Sequence, residues 1–477
     1  MGTPARPLNS TLSTAVWLLL SGLLLVPGAA RAGGPLLVGG PGFGVEGQPF
    51  IWAPAAMPVQ YRTDGGPLSR KPDGTVVVDN AAGIARVQAM FQVWQDVPTA
   101  FISFNNAGPI LSAGAFTDGD VSTVEEFNAV EGSCGDGIQS PIIFDADGTL
   151  FDQLTGDPGV IGFAGACNLD LSTGHIVAAL AALNGRFQDS IDTPSSYPPN
   201  LEMTAAEFDE AMAHEFGHLA GLDHSQINVG VLQQAPGQCT TTNLAGLPLM
   251  FPFAHCQARS TVGLPMLATD DIAWISRLYP ETVNAPPAHV PFNIRYGKIS
   301  GTILFSDGLT HAQGVNVIAR ETADPRKIAV SVVSGYLFTG NPGQGATGTN
   351  DGGSPFGSRN PLLMGTYDIP VPPGSYTVEV ESVSQYFVGG SSVGPLSPPI
   401  PSPGPKEYWD VNESAIDSLT DKSIVTITVG GVQSEINIIL NGTPPRFDSF
   451  ESAHQWLREP LLAWPRKEDL IFAAVAT

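Results

Sequence analysis

Helix-type and strand-type patterns alternate in the first half of the chain. The apolar positions of residues 84–97 recur at intervals of three and four, which predicts a helix with one buried side that Pro98 ends. Alternating apolar positions predict strands over 57–64, 100–105 and 175–185. This half of the chain is therefore predicted to contain both strands and helices.

A further helix pattern lies in residues 203–225. Thr204 and Glu207 are three residues apart, which is the spacing of a capping box at the start of a helix. Phe208 and Met212 follow at helical spacing. One side of this helix is therefore predicted to be buried, and the opposite side is predicted to face a cleft.

The pattern changes near residue 280. Residues 281–296 contain prolines typical of a linker. From residue 297 to 443, short alternating segments are separated by Gly- and Pro-containing turns, which predicts an all-β domain built as an antiparallel sandwich. Residues 444–477 show no clear pattern.

Residues 1–32 have the parts of a secretory signal peptide. Arg6 precedes the apolar run AVWLLLSGLLLV, and Ala-Arg-Ala forms a cleavage site before Gly33. The run is short for a bilayer span, although a retained membrane anchor is the alternative. No later segment is long and apolar enough to span. We expect an exported chain, extracellular or periplasmic, with residues 33–56 preceding its first domain.

Charge and composition narrow the range of partners. Cleavage after the predicted signal peptide would remove Arg6 and Arg31 and no acidic residue, which changes the formal net charge from −24 to −26. Such a surface argues against nucleic acid and anionic lipid as partners. Only 14% of residues are charged, and there are 54 glycines and 42 prolines, so loops and β-structure should be plentiful.

The chain has four cysteines, which suits an oxidising compartment. We favour the disulfides Cys134–Cys167 and Cys239–Cys256 because these cysteines are sequence neighbours, although the other connectivities stay open. Zinc ligation by these thiols is the competing interpretation. It is disfavoured because no pair has C-x-x-C spacing.

Candidate chemistry is concentrated in the helix pattern described above. His214, Glu215, His218 and His224 follow the spacing H-E-x-x-H-x-x-G-x-x-H, with Gly221 at the glycine position. On a helix, the first two histidines lie on the same face, one turn apart. The glycine permits a left-handed turn that returns the third histidine to the same site.

Three imidazole nitrogens and one open position describe a catalytic zinc site, not a structural one. Glu215 is predicted to take a proton from the water at the open position. The alternative is that these histidines meet by chance. The full pattern would arise by accident in on the order of one chain in 10⁵ of this length. We therefore expect a Zn²⁺ cofactor.

The motif HEFGHLAGLDHS resembles that of the metzincin metalloproteases, and Ser225 after the third histidine is similar to the matrixin branch. The segment PLMFPF supplies Met250, which resembles the methionine of the metzincin Met-turn. The segment LATDDIAWISRLYP is similar to the matrixin C-terminal helix, with Asp270 and Asp271 as its paired acids. The resemblance implies an α+β catalytic domain over 57–280 with a twisted mixed sheet, two long helices and a C-terminal helix.

The resemblance also implies where substrate binds. The strand upstream of the zinc helix would be the sheet edge along which a protein or peptide substrate lies, because an extended peptide can pair with exposed backbone groups. An ordinary interior strand is the alternative. The residues concerned are Ile176, Val177, Ala178, Ala179 and Leu180.

Two further features bear on regulation and metal content. The Asp-rich segment 134–157 leaves open a Ca²⁺ site of the matrixin kind or, alternatively, solvated turn residues. Matrixin proenzymes usually keep a propeptide cysteine on the zinc. Here no cysteine precedes Cys134, so a cysteine switch is not expected.

The predicted sandwich resembles the carboxypeptidase regulatory-like, transthyretin-type domains in the run that contains Tyr367, Gly374 and Tyr376. That resemblance implies an accessory role and names no ligand. The function we expect is that of a secreted zinc endopeptidase. The alternative is a non-catalytic adhesin or matrix-binding protein with a relic protease fold.

Overall fold

The computed structural model describes residues 33–156, 159–191, 202–233, 239–254, 256–282, 288–338, 356–358, 360–381 and 405–442. The predicted signal peptide (1–32) and the C-terminal segment 444–477 lie outside these described residues. The described chain has a mixed α+β fold. Its α-helices are α1 (Asn80–Gln95), α2 (Val124–Gly135), α3 (Thr149–Thr155), α4 (Ala205–Leu219), α5 (Thr241–Ala245) and α6 (Thr269–Leu278).

One six-stranded sheet and one small hairpin account for the strands of the first half. The hairpin pairs β3 (Ser69–Arg70) with β4 (Val76–Val78). The strands of the sheet are β1 (Ile51–Trp52), β2 (Val59–Thr63), β5 (Phe104–Pro109), β6 (Pro141–Asp145), β7 (Gly162–Asp170) and β8 (His175–Asn184). All pairings in the sheet are parallel except that of β7 with β8.

The prediction that residues 176–180 form the sheet edge is wrong. Strand β8 pairs with β7 over nearly its whole length, and on its other side it pairs with β1 and β6. The turn 171–174 joins β7 and β8 into a hairpin, so β7 is the outer strand. The interior-strand alternative therefore holds for Ile176, Val177, Ala178, Ala179 and Leu180.

Other predicted elements exist with shifted bounds. Helix α1 begins before the predicted residue 84 because the Asp79 side chain accepts a hydrogen bond from the Ala82 N–H and caps it. The strand predicted at 100–105 is observed as β5, which starts at Phe104. The sheet also begins earlier than residue 57, since β1 already pairs with β8.

Alternate residues of the central strands face two different cores, as the pleat of a strand requires. Ile142 and Phe144 of β6 face the core that contains α1 and α4. Ile143, between them, faces the core of α2 and α3. On the α4 side, the rings of Phe91 and Phe216 stack with centroids 3.9 Å apart, so α1 and α4 pack closely together.

The second half folds as two sheets that share buried apolar residues, as the sandwich prediction requires. One sheet has the order β11-β10-β13-β14 with β15 also on β13, and the other has the order β12-β9-β16 with β17 also on β9. Strands β16 and β17 pair in parallel with β9, so the sandwich is not purely antiparallel. The strands are β9 (Gly297–Leu304), β10 (Asn316–Glu321), β11 (Ala329–Val333), β12 (Thr366–Val371), β13 (Gly374–Glu381), β14 (Glu407–Tyr408), β15 (Val425–Ile427), β16 (Val432–Gln433) and β17 (Ile438–Ile439).

The two halves are packed against each other through α6. The Trp274 indole N–H donates to the Ser331 carbonyl of β11 at 2.8 Å, and the Trp274 ring meets the Tyr336 ring edge-on. Arg277 pairs with Asp368 of β12 at 3.3 Å. Buried apolar residues of both halves consequently form one continuous cluster.

Both favoured disulfides, Cys134–Cys167 and Cys239–Cys256, are confirmed. They are compatible with an extracellular location. Within the described ranges, no helix combines the length and the apolar character needed to cross a membrane.

Candidate metal centre

Helix α4 carries the first two histidines and is defined at both ends. The Thr204 hydroxyl accepts from the Glu207 N–H while the Glu207 carboxylate accepts from the Thr204 N–H, so the predicted capping box is confirmed. After the helix, Gly221 has φ +87°. This left-handed residue reverses the chain and brings the segment with His224 back toward the helix.

The three histidines converge on one point. The Nε2 atoms of His214, His218 and His224 are 3.0–3.1 Å from one another. All three side chains are buried, and together they could hold one metal ion. The predicted ligand set is therefore brought together by the fold.

Backbone carbonyls orient two of these rings. His214 Nδ1 lies 2.7 Å from the Leu249 carbonyl oxygen, and His218 Nδ1 lies 2.8 Å from that of Leu222. A carbonyl oxygen can only accept, so Nδ1 carries the proton and Nε2 presents its lone pair to the centre of the triad. Burial and the neighbouring His218 hold the pKa of His214 well below its usual value, which favours the neutral ring.

Glu215 is a buried carboxylate beside this cluster. Its side chain is 1% exposed, and no group among the described residues donates a hydrogen bond to either oxygen. It lies against β7, where a Cβ on Gly162 would come within 2.9 Å of Glu215 Cγ. Burial raises the pKa of Glu215 well above its usual value. A buried carboxylate in this setting needs a partner that the described protein groups do not supply.

Met250 packs against helix α4 at Gly217, between the first two ligands in sequence. A Cβ on Gly217, which lies between His214 and His218 in α4, would be 2.3 Å from the Met250 sulfur. Helix α4 is therefore in close contact with residues 246–250, which we call the methionine loop. The Ser225 N–H donates to the Met250 carbonyl at 2.7 Å. The loop that carries Met250 is thus bonded to the residue that follows the third histidine.

The two acids of α6 have different partners. Asp271 accepts from the N–H groups of Leu249, Met250 and Ala268 at 2.7–3.0 Å, which ties α6 to the methionine loop. Asp270 instead accepts from the Ser331 N–H of the sandwich at 2.9 Å. Burial, followed by the charge of Asp271, raises the pKa of Asp270 to about 8.

The sequence did not predict the roles of buried Arg259 and of its half-buried partner Glu210. The Arg259 guanidinium donates to the Leu247 carbonyl at 2.7 Å and to the Pro265 carbonyl at 2.7 Å, and it also bonds the Leu244 carbonyl. The Arg259 N–H in turn donates to Glu210 of α4 at 2.7 Å. An isolated arginine in a loop carries no spacing signal, so only the fold reveals that it organises the loop before α6.

In the described part of the acidic segment, residues 134–156, two carboxylates have partners within the protein. Asp145 accepts from the N–H groups of Gly148 and Phe151, and Asp152 pairs with Arg186. Across the part of the chain that the structure describes, the histidine triad is the one group of three or more ligating side chains whose donor atoms lie within 4.8 Å of one another. Calcium binding stays a prediction without a defined site.

Comparison with known proteins does not assign the chain to a family. No family model and no curated protein matches it. Among solved structures, one partial match is the crystal structure of a leucine-rich repeat protein from Bacteroides thetaiotaomicron. The match has 7% sequence identity and a TM-score of 0.13, and it covers 31% of this chain and 14% of that one. An overlap of this quality carries no argument about fold or site.

Proposed function

We propose that the chain is a secreted zinc endopeptidase, with a matrixin-like catalytic half and a transthyretin-like accessory sandwich. The observation that carries the proposal is the convergence of three buried imidazoles beside Glu215. A triangle with Nε2 separations of 3.0–3.1 Å has a circumradius of about 1.8 Å. Since Zn–N bonds are about 2.0–2.1 Å, the spacing of the three nitrogens fits a single zinc ion that all three would hold.

Each residue of the centre has a role in peptide hydrolysis. When bound, zinc supplies a water of lowered pKa and a Lewis acid for the scissile carbonyl. Glu215 accepts a proton from the attacking water on a carboxylate oxygen and then donates it to the leaving amine nitrogen. The carbonyls of Leu249 and Leu222 hold the rings of His214 and His218 with Nε2 directed at the site.

In this proposal, substrate lies along the outer side of β7. Among the described strands, β7 pairs with β8 alone, and its first residue, Gly162, lies against Glu215. An extended peptide that added to the outer side of β7 would pass close to the carboxylate. This assignment replaces residues 176–180 as the strand along which substrate would lie.

A casein or gelatin assay with and without a zinc chelator tests the proposal, with zinc added back in a third arm. The matched control is Glu215→Ala, because it leaves the three histidines in place. We expect this variant to bind one zinc per chain and to lose about 10²–10⁴-fold in turnover. A wild-type protein that binds zinc but cleaves nothing would favour the adhesin alternative. Wild-type-like cleavage by the variant would remove Glu215 from the mechanism.

A further inference from the structure

The segment that follows the third histidine is held by the β-sandwich. The Asn316 side-chain amide of β10 donates to the Gln226 carbonyl at 3.2 Å. Next to it, Ile227 is buried in a small apolar cluster with Ile318 of β10 and Ala329 of β11. The segment that directly follows His224 therefore packs against the hairpin of β10 and β11.

Asn228 extends this contact to the methionine loop. It has φ +61°, a conformation that non-glycine residues seldom adopt. Its Nδ2 donates to the Gly246 carbonyl at 2.5 Å, and its Oδ1 accepts from Arg320 of β10 at 3.0 Å. Gly246 lies three residues before Leu249, whose carbonyl orients the His214 ring. One side chain thus links the sandwich, the segment after His224 and the methionine loop.

Arg320 is itself fixed. Its Nε is 2.6 Å from the carboxylate of Glu379, a buried residue of β13 that also pairs with Lys406 at 2.9 Å. An arginine with a buried carboxylate partner loses little further freedom when it makes one more hydrogen bond. Arg320 can therefore act as a rigid support for Asn228.

A second connection runs through α6. Ser331 of β11 donates its N–H to Asp270 and accepts from the Trp274 indole through its carbonyl. The next residue of α6, Asp271, accepts from the N–H groups of Leu249 and Met250. Both connections end at the loop that orients the first ligand.

We propose that the hairpin of β10 and β11 is part of the metal centre, with Arg320 and Asn228 as positioning residues. They hold the segment after His224 and the methionine loop in the register at which the three imidazoles converge. The inference deepens the proposed function and rests on it for the identity of the metal. The contacts of Arg320 and Asn228 lie within the protein, so their positioning role can be tested without metal.

The contacts are those of a support and not of a tethered module. Burying polar and charged groups at an interface is costly unless each is paired. Here the Asn316 amide and the Arg320 guanidinium both donate to the segment after His224, and the Ser331 N–H donates to Asp270, the neighbour of the acid that bonds the methionine loop.

The first test is hydrogen exchange of the full-length, metal-free protein with the substitution Asn228→Gly. Glycine adopts φ +61° without strain, so the backbone is kept while the hydrogen bonds of the side chain are lost, including a longer one from Nδ2 to the Arg326 carbonyl at 3.5 Å. We expect the amides of Ser225, Leu249 and Met250 to exchange about tenfold faster or more, with little change in Tm. Unchanged exchange at these three amides overturns the proposal.

The control is Lys406→Met. Lys406 pairs with the same carboxylate, Glu379, but contacts neither the segment after His224 nor the methionine loop in the bonds described. We expect wild-type exchange at the three amides. If this variant behaves like Asn228→Gly, the effect belongs to sandwich packing in general and the proposal fails.

The second test is metal binding by the same two variants. We expect Asn228→Gly to weaken zinc binding about tenfold in a chelator competition and to alter the visible spectrum of the Co²⁺ form, because supporting residues tune ligand geometry. Wild-type affinity and spectrum in this variant would overturn the proposal. If the wild type bound no zinc, the proposed function would fail, and the exchange result would still decide whether Arg320 and Asn228 position the two segments.

Discussion

Gly221 is the residue at which helix α4 gives way to the segment with the third ligand. Its φ of +87° belongs to the left-handed region, and a Cβ there would lie 3.2 Å from the Phe50 carbonyl oxygen. A side chain at this position is therefore strained by the backbone and crowded by a neighbour. The direction in which the chain returns depends on this one residue.

Gly221→Ala should lower the free energy of unfolding by about 1–2 kcal/mol. We also expect weaker zinc binding, because His224 lies three residues further along. Thermal unfolding of the metal-free protein and a chelator competition measure the two effects. The matched control is Gly132→Ala, an exposed position in α2 with no atom within 4 Å of a new Cβ. This control should be stabilising by about 0.5–1 kcal/mol.

Glu131 of α2 should make the stability of the protein depend on pH. Burial raises its pKa to about 7, and its Oε1 has no hydrogen-bond partner among the described groups. A carboxyl with a raised pKa in the folded state binds more protons when folded, so stability falls as pH rises from about 4.5 to 7.

The Glu131→Gln variant has no titrating group at this position, so we expect its free energy of unfolding to fall less between pH 4.5 and 7. The difference in free energy of unfolding between the variant and the wild type should grow by up to about 3 kcal/mol and stay constant above pH 7. Urea unfolding at pH 4.5, 6, 7 and 8 measures it. Parallel curves for the two proteins would mean that Glu131 is ionised at no cost in the folded state.

Residue-scale prediction worked where local geometry determines the outcome. The spacing of His214 and His218 is set by the helical repeat, and Gly221 reverses the chain for a reason that lies in its own backbone. Arg259 could not be found in this way. Its three carbonyl partners come from residues that only the folded loop brings together.

At the scale of elements, β7 and β8 show what periodicity can and cannot reveal. Alternation predicted β8 within one residue of its observed end, because side chains on a strand point alternately to the two faces. Whether a strand lies at the edge depends on its hydrogen-bonded neighbours, which periodicity does not encode. The error about residues 176–180 arose because β7 was not recognised as a strand.

The acidic pair of α6 tests how one element supports another. Asp271→Asn replaces one of two accepting oxygens by a donor that faces backbone N–H groups. We expect a loss of about 2–3 kcal/mol in the free energy of unfolding and weaker zinc binding. Chemical denaturation and chelator competition provide the measurements.

Asp270→Asn is the matched control, since it lies beside Asp271 and is equally buried. The pKa of Asp270 is raised to about 8, so its carboxyl is mostly neutral in the folded protein at pH 7. A neutral amide avoids the cost of protonating the carboxylate on folding, and stability should be unchanged or higher. Equal losses in the two variants would show that the methionine loop does not depend on Asp271 in particular.

At the scale of the whole molecule, the sequence suggested two separate domains, whereas the structure has an apolar core shared by both halves. Proline-containing residues 281–296 suggested two domains joined by a spacer. The described part of that segment is instead bonded to the first half, with the Val290 N–H donating to the Pro98 carbonyl. The apolar side of α6 gave no indication that its partner would be the sandwich, because periodicity shows that a face is buried and not what covers it.

One continuous core predicts one unfolding transition. Trp274 packs between the halves, and the apolar cluster runs through both without interruption. Calorimetry of the full chain should therefore show a single peak whose calorimetric and van't Hoff enthalpies agree.

A chain ended at residue 296 would expose the faces of α6 and Ile227 that β10 and β11 cover. We expect that fragment to aggregate or to melt well below the intact protein. Two resolved peaks in the full chain, with the first-half fragment melting at one of them, would show that each half is stable by itself and that the shared core contributes little.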